Sequence, residues 1–288
     1  MELKNVVIIA NGGKSEAPLI AEEIKCYLNI HGISTQVFIT KDCEEEIPLS
    51  IKTDLVVSVG GDGTVLYCAR LVHNLGIPIF AVNLGTFGYI TEIGCHEWQS
   101  VFEDIFIDRE RLSRRLMLRV SVMRNGIKVY QATGLNEVVV SSAGISKVVK
   151  LDLLINNTFA GKFRSDGLII ATPTGSTGYS LAAGGPIVDS EMAALIITPI
   201  CPFTLSNRPL VLGSNEMITM HVTDGQRTEL MLTVDGQQTF DLQEGDDVIV
   251  EKSRSRILLV ASNKRNYTEV IRAKLNWTGE LHAWSVRY

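Results

Sequence analysis

An apolar run from Leu55 to Val59 ends in Gly60-Gly61-Asp62-Gly63-Thr64 and passes directly into helical apolar spacing at Val65, Leu66, Ala69, Leu71 and Val72. This stretch reads as strand, glycine turn and helix. Three glycines let the backbone take φ > 0 and let a ligand come close. The helix that opens near Thr64 turns its unpaired N–H groups and the positive end of its dipole toward the turn. That is a place to hold phosphate. Asp62 is the odd member, a carboxylate among groups suited to an anion. It makes chemical sense as a proton acceptor for a nucleophile or as part of a metal site. The same residues also fit a tight βα turn with Asp62 as helix N-cap.

The flanking sequence repeats the βα pattern. Val6 to Ala10 is a short apolar run that ends in the turn signal Asn11-Gly12-Gly13. Residues 16–30 carry a helical stripe at Ile20, Ile24, Tyr27 and Leu28, which Gly32 ends. Val37-Phe38-Ile39 reads as a strand and Glu44-Glu45-Glu46 as a solvated loop. Gly76 closes the helix after GGDGT, and Ile77 to Val82 begins another strand. Near-continuous apolar strands alternating with helices predict a parallel sheet covered on both faces. Ligands bind beyond the carboxyl ends of such strands. GGDGT lies at one such end, and Asn83-Leu84-Gly85-Thr86-Phe87-Gly88-Tyr89 at another.

From about residue 95 the texture changes. Residues 97–107 have helical spacing at Trp98, Val101, Phe102 and Ile105, and the basic run Arg109 to Arg115 reads as a solvated linker. Strict alternation follows at Leu118, Val120 and Val122, then the hairpin signal Asn125-Gly126. Val149 to Ile155 alternates again and ends in Asn156-Asn157. Strand-like runs recur at 166–171, 195–200, 217–222, 229–234, 247–251 and 256–261, with Asp224-Gly225 and Asp235-Gly236 among the turns. This spacing predicts an antiparallel sandwich or curled sheets. After Asn263 the period is helical again at Val270, Ile271 and Leu275, leading to Trp277, and this tail is expected to pack back on the α/β domain.

Composition narrows the partners. A chain of 288 residues with 45% hydrophobic content buries a sizeable core. A formal net charge of −5 disfavours a broad basic surface for nucleic acid. No apolar run approaches the ~20 residues of a membrane span, and MELKNVVIIANGG lacks the features of a secretory leader. The five cysteines are far apart, with no C-x-x-C, which suits a reducing, cytoplasmic compartment and offers no zinc site. The five histidines form no metal-spaced pair.

Residues 164–186, RSDGLIIATPTGSTGYSLAAGGP, form a second constellation. Arg164 and Asp166 precede an apolar strand. The segment Thr172-Pro173-Thr174-Gly175-Ser176-Thr177-Gly178 then supplies hydroxyls and backbone N–H groups suited to phosphate or ribose. Tyr179 adds a ring face and a hydroxyl, and Tyr179 to Ala183 has room for one or two helical turns before Gly184-Gly185-Pro186. Asn136-Glu137 precedes Val138-Val139-Val140, where an amide and a carboxylate can read two ribose hydroxyls. Asp235-Gly236-Gln237 ends a strand as a turn.

Together these residues resemble the NAD kinase family, in order and over nearly the whole chain. The match runs through GGDGT at 60–64, NLGTFGY at 83–89, Asn136-Glu137, FRSDGLIIATPTGSTGYSLAAGGP at 163–186 and Val234-Asp235-Gly236-Gln237. GGDGT alone also occurs in lipid kinases and phosphofructokinases. In the lipid kinases, however, an Asn-Glu pair follows it almost at once, and here Val65-Leu66 follows. The resemblance implies a doubly wound, mostly parallel α/β domain (residues 1–97 plus a return segment, 264–288) and an antiparallel β-sandwich-like domain (98–263). It implies transfer of the terminal phosphoryl of ATP, or of polyphosphate in some members, to the 2′-hydroxyl of the adenosine ribose of NAD, with Mg²⁺. Asp62 matches the family's proposed general base. Gly61, Gly63, Phe87, Tyr89, Asn136, Glu137, Arg164, Asp166, Thr174, Thr177, Gly178, Tyr179, Ser180, Leu181, Ala182 and Gln237 match nucleotide-contacting positions, with Lys147 a weaker match. No metal ligand is assigned. Gly178 stands where alanine is expected and Tyr89 where phenylalanine is usual, both of which bear on NAD against NADH. A homodimer or homotetramer is expected, with residues 187–210 as a region that can reach a neighbour's site. The alternatives are a lipid kinase of the same superfamily and a non-catalytic NADP-binding sensor.

Overall fold

The computed structural model describes residues 3–41, 47–50, 52–85, 88–107, 112–144, 148–204, 206–226, 228–262 and 267–275. The first half runs β1 (Asn5–Asn11), α1 (Ala17–Ile30), β2 (Ser34–Thr40), β3 (Leu55–Gly60), α2 (Asp62–Val72), β4 (Ile79–Asn83), β5 (Ile93–Gly94) and α3 (Trp98–Ile107). The strands stand in the order β4-β3-β1-β2 and are parallel. The chain moves outward from β1 to β2 and returns past β1 to β3. The carboxyl ends of β1 and β3 therefore flank a topological switch point, where open α/β sheets bind ligands.

Alternate residues of these strands feed two cores, as a doubly covered sheet requires. Val6, Ile8 and Ala10 pack with Ala17, Ala21, Ile24 and Leu28 of α1 on one face. Val7 and Ile9 pack with Val65, Cys68, Ala69 and Val72 of α2 on the other. Each fully buried Val or Ile contributes about 1.5–3 kcal/mol. The Ala17, Ala21, Ile24, Leu28 stripe makes α1 a helix, and Gly32 (φ +76) ends it while the Ile33 N–H closes onto the Leu28 carbonyl at 3.0 Å. Trp98, Val101 and Phe102 of α3 lie in the first of these cores. This helix therefore packs with the α/β half, on the other side of the expected boundary at residue 98.

The second half runs β6 (Leu112–Arg124), β7 (Ile127–Gly134), β8 (Glu137–Ser142), β9 (Val149–Ile155), β10 (Thr158–Ser165), β11 (Gly167–Ala171), a 3₁₀ turn (Thr174–Thr177) and α4 (Tyr179–Ala182). It continues with β12 (Ala194–Ile200), β13 (Leu210–Gly213), β14 (Ile218–Val222), β15 (Leu230–Val234), β16 (Gln238–Leu242), β17 (Asp247–Val260) and α5 (Tyr267–Leu275). One antiparallel sheet has the order β13-β12-β11-β8-β15-β16. It faces the antiparallel part of the other sheet across a core that includes Val138, Val140, Leu168, Ile170, Leu232, Leu151, Met220 and Val250. The hairpins follow the turn chemistry: Asn125-Gly126 (φ 51 and 77), Asn156-Asn157 (49 and 62) and Asp235-Gly236 (51 and 65) are all left-handed pairs.

Three expectations are corrected. The runs at 247–251 and 256–261 are one strand, β17, with an irregularity between Lys252 and Arg256 that allows one backbone to serve both. β17 pairs antiparallel with β14 and β6, and at Leu259↔Ile79 parallel with β4, so a single sheet crosses both halves. The basic run is not wholly a solvated linker: strand β6 begins at Leu112, and Arg115 is buried with its guanidinium 3.8 Å from Glu92. Finally, α2 opens at Asp62 rather than Thr64, because Gly61 occupies the N-cap in extended conformation. The return of the tail to the α/β half is visible in α5, where Val270 and Ile271 are buried and the Lys274 ammonium lies 5.5 Å from the centre of the Tyr89 ring. Trp277 and the Glu44-Glu45-Glu46 loop lie outside the described residues. Among the described residues no helix is long and apolar enough to cross a membrane.

Candidate functional site

The GGDGT turn is built by close approach. A Cβ on Gly60 would stand 2.1 Å from Thr64 Oγ1, so the strand can end there only in glycine. Gly63 is different: nothing lies within 4 Å of where its Cβ would be. Its freedom serves whatever comes to the turn from outside. Gly61, Gly63 and Thr64 line a cleft of about 280 Å³ together with Asn11, Lys14 and Lys41. This cleft sits at the switch point between β1 and β3. Lys14 Nζ reaches across it and donates to the Leu84 carbonyl at 2.5 Å. Two ammonium groups and the start of α2 make the cleft suited to polyanionic phosphate.

Asp62 turns away from an N-cap role. Its Oδ2 accepts from the Tyr89 N–H at 3.0 Å, and its Oδ1 accepts from the N–H groups of Ile90 (3.3 Å) and Thr91 (3.1 Å) and from Thr91 Oγ1 (2.8 Å). The carboxylate thus holds the loop after β4 against the GGDGT turn. Gly88 permits this, since a Cβ there would fall 1.8 Å from Asp62 Oδ1. Burial, and then the Asp62 charge, push the Tyr89 hydroxyl above its usual range. Phe87, expected beside Tyr89, lies outside the described residues, as does Lys147.

The second cluster forms where β8 begins. Asn136 and Glu137 are buried, and the 172–178 segment wraps them. Thr172 donates its N–H to the Asn136 carbonyl at 2.8 Å and its hydroxyl to the Leu135 carbonyl at 2.6 Å. A Cβ on Gly175 would lie 2.1 Å from the Asn136 carbonyl oxygen, and one on Gly178 3.0 Å from Glu137 Oε2. The methyl that alanine would bring at Gly178 therefore presses on the Glu137 carboxyl group. Three buried polar atoms of this cluster have no partner among the described residues: Asn136 Oδ1, Glu137 Oε2 and Thr174 Oγ1. An unmade bond of this kind costs about 1–3 kcal/mol, so three on one patch mark a place that a ligand's hydroxyl or amide groups complete.

Glu137 is pushed up to about 8, by burial first and by the Asp235 carboxylate second, while a hydrogen bond from the Tyr179 backbone N–H acts the other way. At neutral pH it carries a proton and can donate. Its ordinary value is 4.5. Between the two values the folded state binds more protons than the unfolded chain, so folding stability falls as pH rises from about 4.5 to about 8. Glu137→Gln is accordingly expected to melt a few degrees above the parent at pH 8, with the difference shrinking toward pH 4.5. Melting curves across that range check this, and a pH-independent difference would refute it.

Of the remaining expected residues, Tyr179 is exposed, Ala182 is exposed and Leu181 partly so, all on α4 beside this patch. Ser180 points the other way, its hydroxyl 2.8 Å from Thr198 Oγ1 in the buried interior. Thr177 Oγ1 donates back to the Thr174 carbonyl at 3.2 Å. Gln237 joins the two clusters, with Nε2 donating to the Gly63 carbonyl at 2.8 Å. Arg164 and Asp166 are not gathered in. They lie beyond Gly167, which pairs with Ser141, whereas Ala171 pairs with Glu137. Asp166 stands five positions along the chain from Ala171, roughly 16 Å at ~3.3 Å per residue, and Arg164 lies on β10 of the other sheet, opposite Lys150. Lys14 and Lys41 enter the site without a motif to announce them, and Asp235, expected only as a turn residue of the Val234–Gln237 motif, enters through its carboxylate. For Lys14, the pattern that could have found it is a lysine just past a glycine turn at a parallel strand's carboxyl end.

Among the described residues no group of three or more His, Cys, Asp or Glu is arranged to hold a metal ion.

Comparison with known proteins bears on the whole chain. The ATP-NAD kinase N-terminal domain model matches residues 9–110, and the ATP-NAD kinase C-terminal domain model matches residues 135–262. The chain is similar to an NAD kinase of Treponema denticola, 37% identical and covering 96% of this chain and 98% of that protein. It is 38% identical to an NAD kinase of Geotalea daltonii, covering 96% and 99%. Among solved structures, yeast NADH kinase complexed with NADH superposes with a TM-score of 0.83 at 26% identity, covering 96% of this chain and 89% of that one. An NAD kinase from Archaeoglobus fulgidus in complex with ATP shares the fold, with a TM-score of 0.76 at 24% identity, covering 94% and 99%.

Proposed function

The chain belongs to the ATP-NAD kinase family, and from that premise we propose how its residues carry out phosphoryl transfer from ATP to NAD. The observation that carries the assignment of roles is the patch of unpartnered buried atoms on Asn136, Glu137 and Thr174, tied through Gln237 to the phosphate-suited cleft at GGDGT. NAD lies along the 174–182 segment and completes the patch with its ribose hydroxyls. Glu137, protonated in the free enzyme, donates one of those hydrogen bonds. The donor's phosphates lie between Lys14, Lys41 and the N–H groups of Asp62 and Gly63 at the start of α2. This brings the 2′-hydroxyl of the adenosine ribose toward the terminal phosphorus. Its oxygen bonds to phosphorus, the bond to the bridging oxygen breaks, ADP leaves and NADP is formed.

Asp62 takes the hydroxyl proton. Its Oδ1 is saturated by three donors, but Oδ2 has one donor and a lone pair to spare. Most of the remaining catalysis is positioning and charge neutralisation. Asp62, with an Oδ2 lone pair to spare beside the phosphate-suited cleft, is the carboxylate that would hold Mg²⁺ here. When bound it neutralises phosphate charge. Polyphosphate shares the chemistry that the two lysines recognise.

The separation of Arg164 and Asp166 from the Asn136-Glu137 pair favours a homo-oligomer in which these two residues serve a neighbour's site. The free thiols of Cys26, Cys68, Cys95 and Cys201 suit a cytoplasmic location.

One assay tests these readings. The pure chain with NAD, ATP and Mg²⁺ is expected to yield NADPH through a coupled NADP-dependent dehydrogenase, and the activity per chain to fall on dilution as the oligomer dissociates. No product with any phosphoryl donor would sink the kinase roles. Activity per chain independent of dilution, from a species that sediments as a monomer, would sink the shared site.

A further inference from the structure

We propose that Asp235 is a positioning residue: its carboxylate fixes the backbone from which Asn136 and Glu137 project, and the turn that carries it ties that pair to the GGDGT loop. This rests on the kinase reading for what the pair binds.

The hairpin itself does not ask for an aspartate. Asn125 and Asn156 occupy the same left-handed turn position with φ 51 and 49, against 51 for Asp235, and asparagine suits that conformation well. What asparagine lacks is a second acceptor oxygen. Asp235 uses both of its own. Oδ2 accepts from the Leu135 N–H at 2.7 Å, and Oδ1 accepts from the N–H groups of Asn136 (2.7 Å) and Glu137 (3.0 Å). In return the Asp235 N–H donates to the Glu137 carbonyl at 2.9 Å. The loop between β7 and β8 is thus clamped by one side chain from a distant hairpin.

Two further features match this clamp. A Cβ on Gly134 would lie 2.8 Å from Val234 Cγ1 and 3.0 Å from Asp235 Oδ1, so glycine there admits the close approach. Two residues past Asp235, Gln237 holds the Gly63 carbonyl at 2.8 Å. Residues 235–237 thus contact both the Asn136-Glu137 pair and the GGDGT loop. The arrangement is held against a penalty, since burial pushes the Asp235 carboxyl up to about 6 despite its three N–H donors and the Arg70 guanidinium of α2. The groups acting on Glu137 are Asp235 and the Tyr179 N–H. Arg70 acts on Asp235 and on the Tyr130 hydroxyl of β7. Asp235 itself needs to touch no ligand.

Asp235→Asn keeps the turn and the shape but sets an NH₂ against an N–H donor. It is expected to raise KM for NAD by roughly tenfold or more, as for a lost hydrogen bond to a charged group, and to leave KM for ATP within about twofold of the parent's. The pH midpoint of NAD affinity is expected to move down, because the negative charge beside Glu137 is gone. A merely structural role would lower the melting temperature and the active fraction, hence kcat, with both KM values and the midpoint unchanged, and that result overturns the proposal. If Asp235→Asn does not fold, Gly134→Ala displaces the carboxylate without removing it. It is expected to show the same selective rise in KM for NAD, and an unchanged KM overturns the proposal. NAD affinity measured by calorimetry without ATP separates the two failures. A parent that binds NAD but makes no NADPH fails the kinase reading alone, and variants that bind NAD as the parent does fail the positioning role alone.

Discussion

Asp62→Asn is expected to lower kcat by about a hundred- to ten-thousand-fold, the usual worth of a general base, while the protein still folds. The prediction has a built-in rival, because Asp62 also anchors the 89–91 loop through four hydrogen bonds. Asparagine keeps one acceptor oxygen and sets an NH₂ toward N–H groups that had a carboxylate to bond. The loop will loosen to some degree whatever the chemistry. Thr91→Val separates the two causes, since it removes the hydroxyl that donates to Oδ1 at 2.8 Å and leaves the carboxylate in place. If Asp62 is the base, Thr91→Val keeps kcat near the parent's and Asp62→Asn does not. Equal losses of kcat in the two variants would assign the effect to the loop and remove the base role.

Gly175→Ala is expected to be among the most damaging single methyls that can be added to the chain. Its Cβ would stand 2.1 Å from the Asn136 carbonyl oxygen, 2.5 Å from the carbonyl carbon and 2.7 Å from the Cα. All three are backbone atoms, and no rotamer change relieves the contact. The 172–178 segment has to lift from the start of β8, breaking the Thr172 bonds to Leu135 and Asn136. A loss of roughly 4 kcal/mol or more of stability follows, in the range that backbone displacement in a core produces. Gly63→Ala is the opposite case. Its methyl meets nothing in the protein, and alanine in place of glycine in a helix is worth up to about 1 kcal/mol of added stability. It should nevertheless lose affinity for the phosphate donor, whose approach the bare glycine allows. Denaturant unfolding and KM for ATP, measured on both variants, check the contrast. A Gly63→Ala enzyme with the parent's KM for ATP would show that the donor does not come to this turn.

Much of the fold is legible in the amino-acid sequence, because its local signals agree with its packing. The two-faced apolar runs of β1, β3 and β4, the stripe of α1 and the left-handed hairpin pairs each name their element. What escapes is tertiary. Arg115 reads as part of a basic linker because its partner, Glu92, comes from a different part of the chain, just ahead of β5. The strand-like runs around 247–261 read as two because a bulge imitates a turn. Within the site, GGDGT, Asn136-Glu137 and the 172–182 segment stand out by composition, since hydroxyls and glycines are dense there. Lys14 and Lys41 are single lysines, and nothing local distinguishes them from solvated ones. Asp235 hides behind a better-known use, since Asp-Gly is what a hairpin turn ordinarily contains. Arg164 and Asp166 are close to the signature in the chain and apart from the pair in space, because Arg164 lies on β10 and Asp166 just ahead of β11, whose other end, Ala171, pairs with Glu137.

The continuity of β17 has a consequence for how this chain comes off the ribosome. The strand that joins β4 to the antiparallel half is made after residue 246, so the α/β half must wait for it with one side of its sheet incompletely paired. An exposed sheet edge is a site of mispairing. Until β17 arrives, the nascent protein presents such an edge on both of its halves, and the same late strand closes both at once.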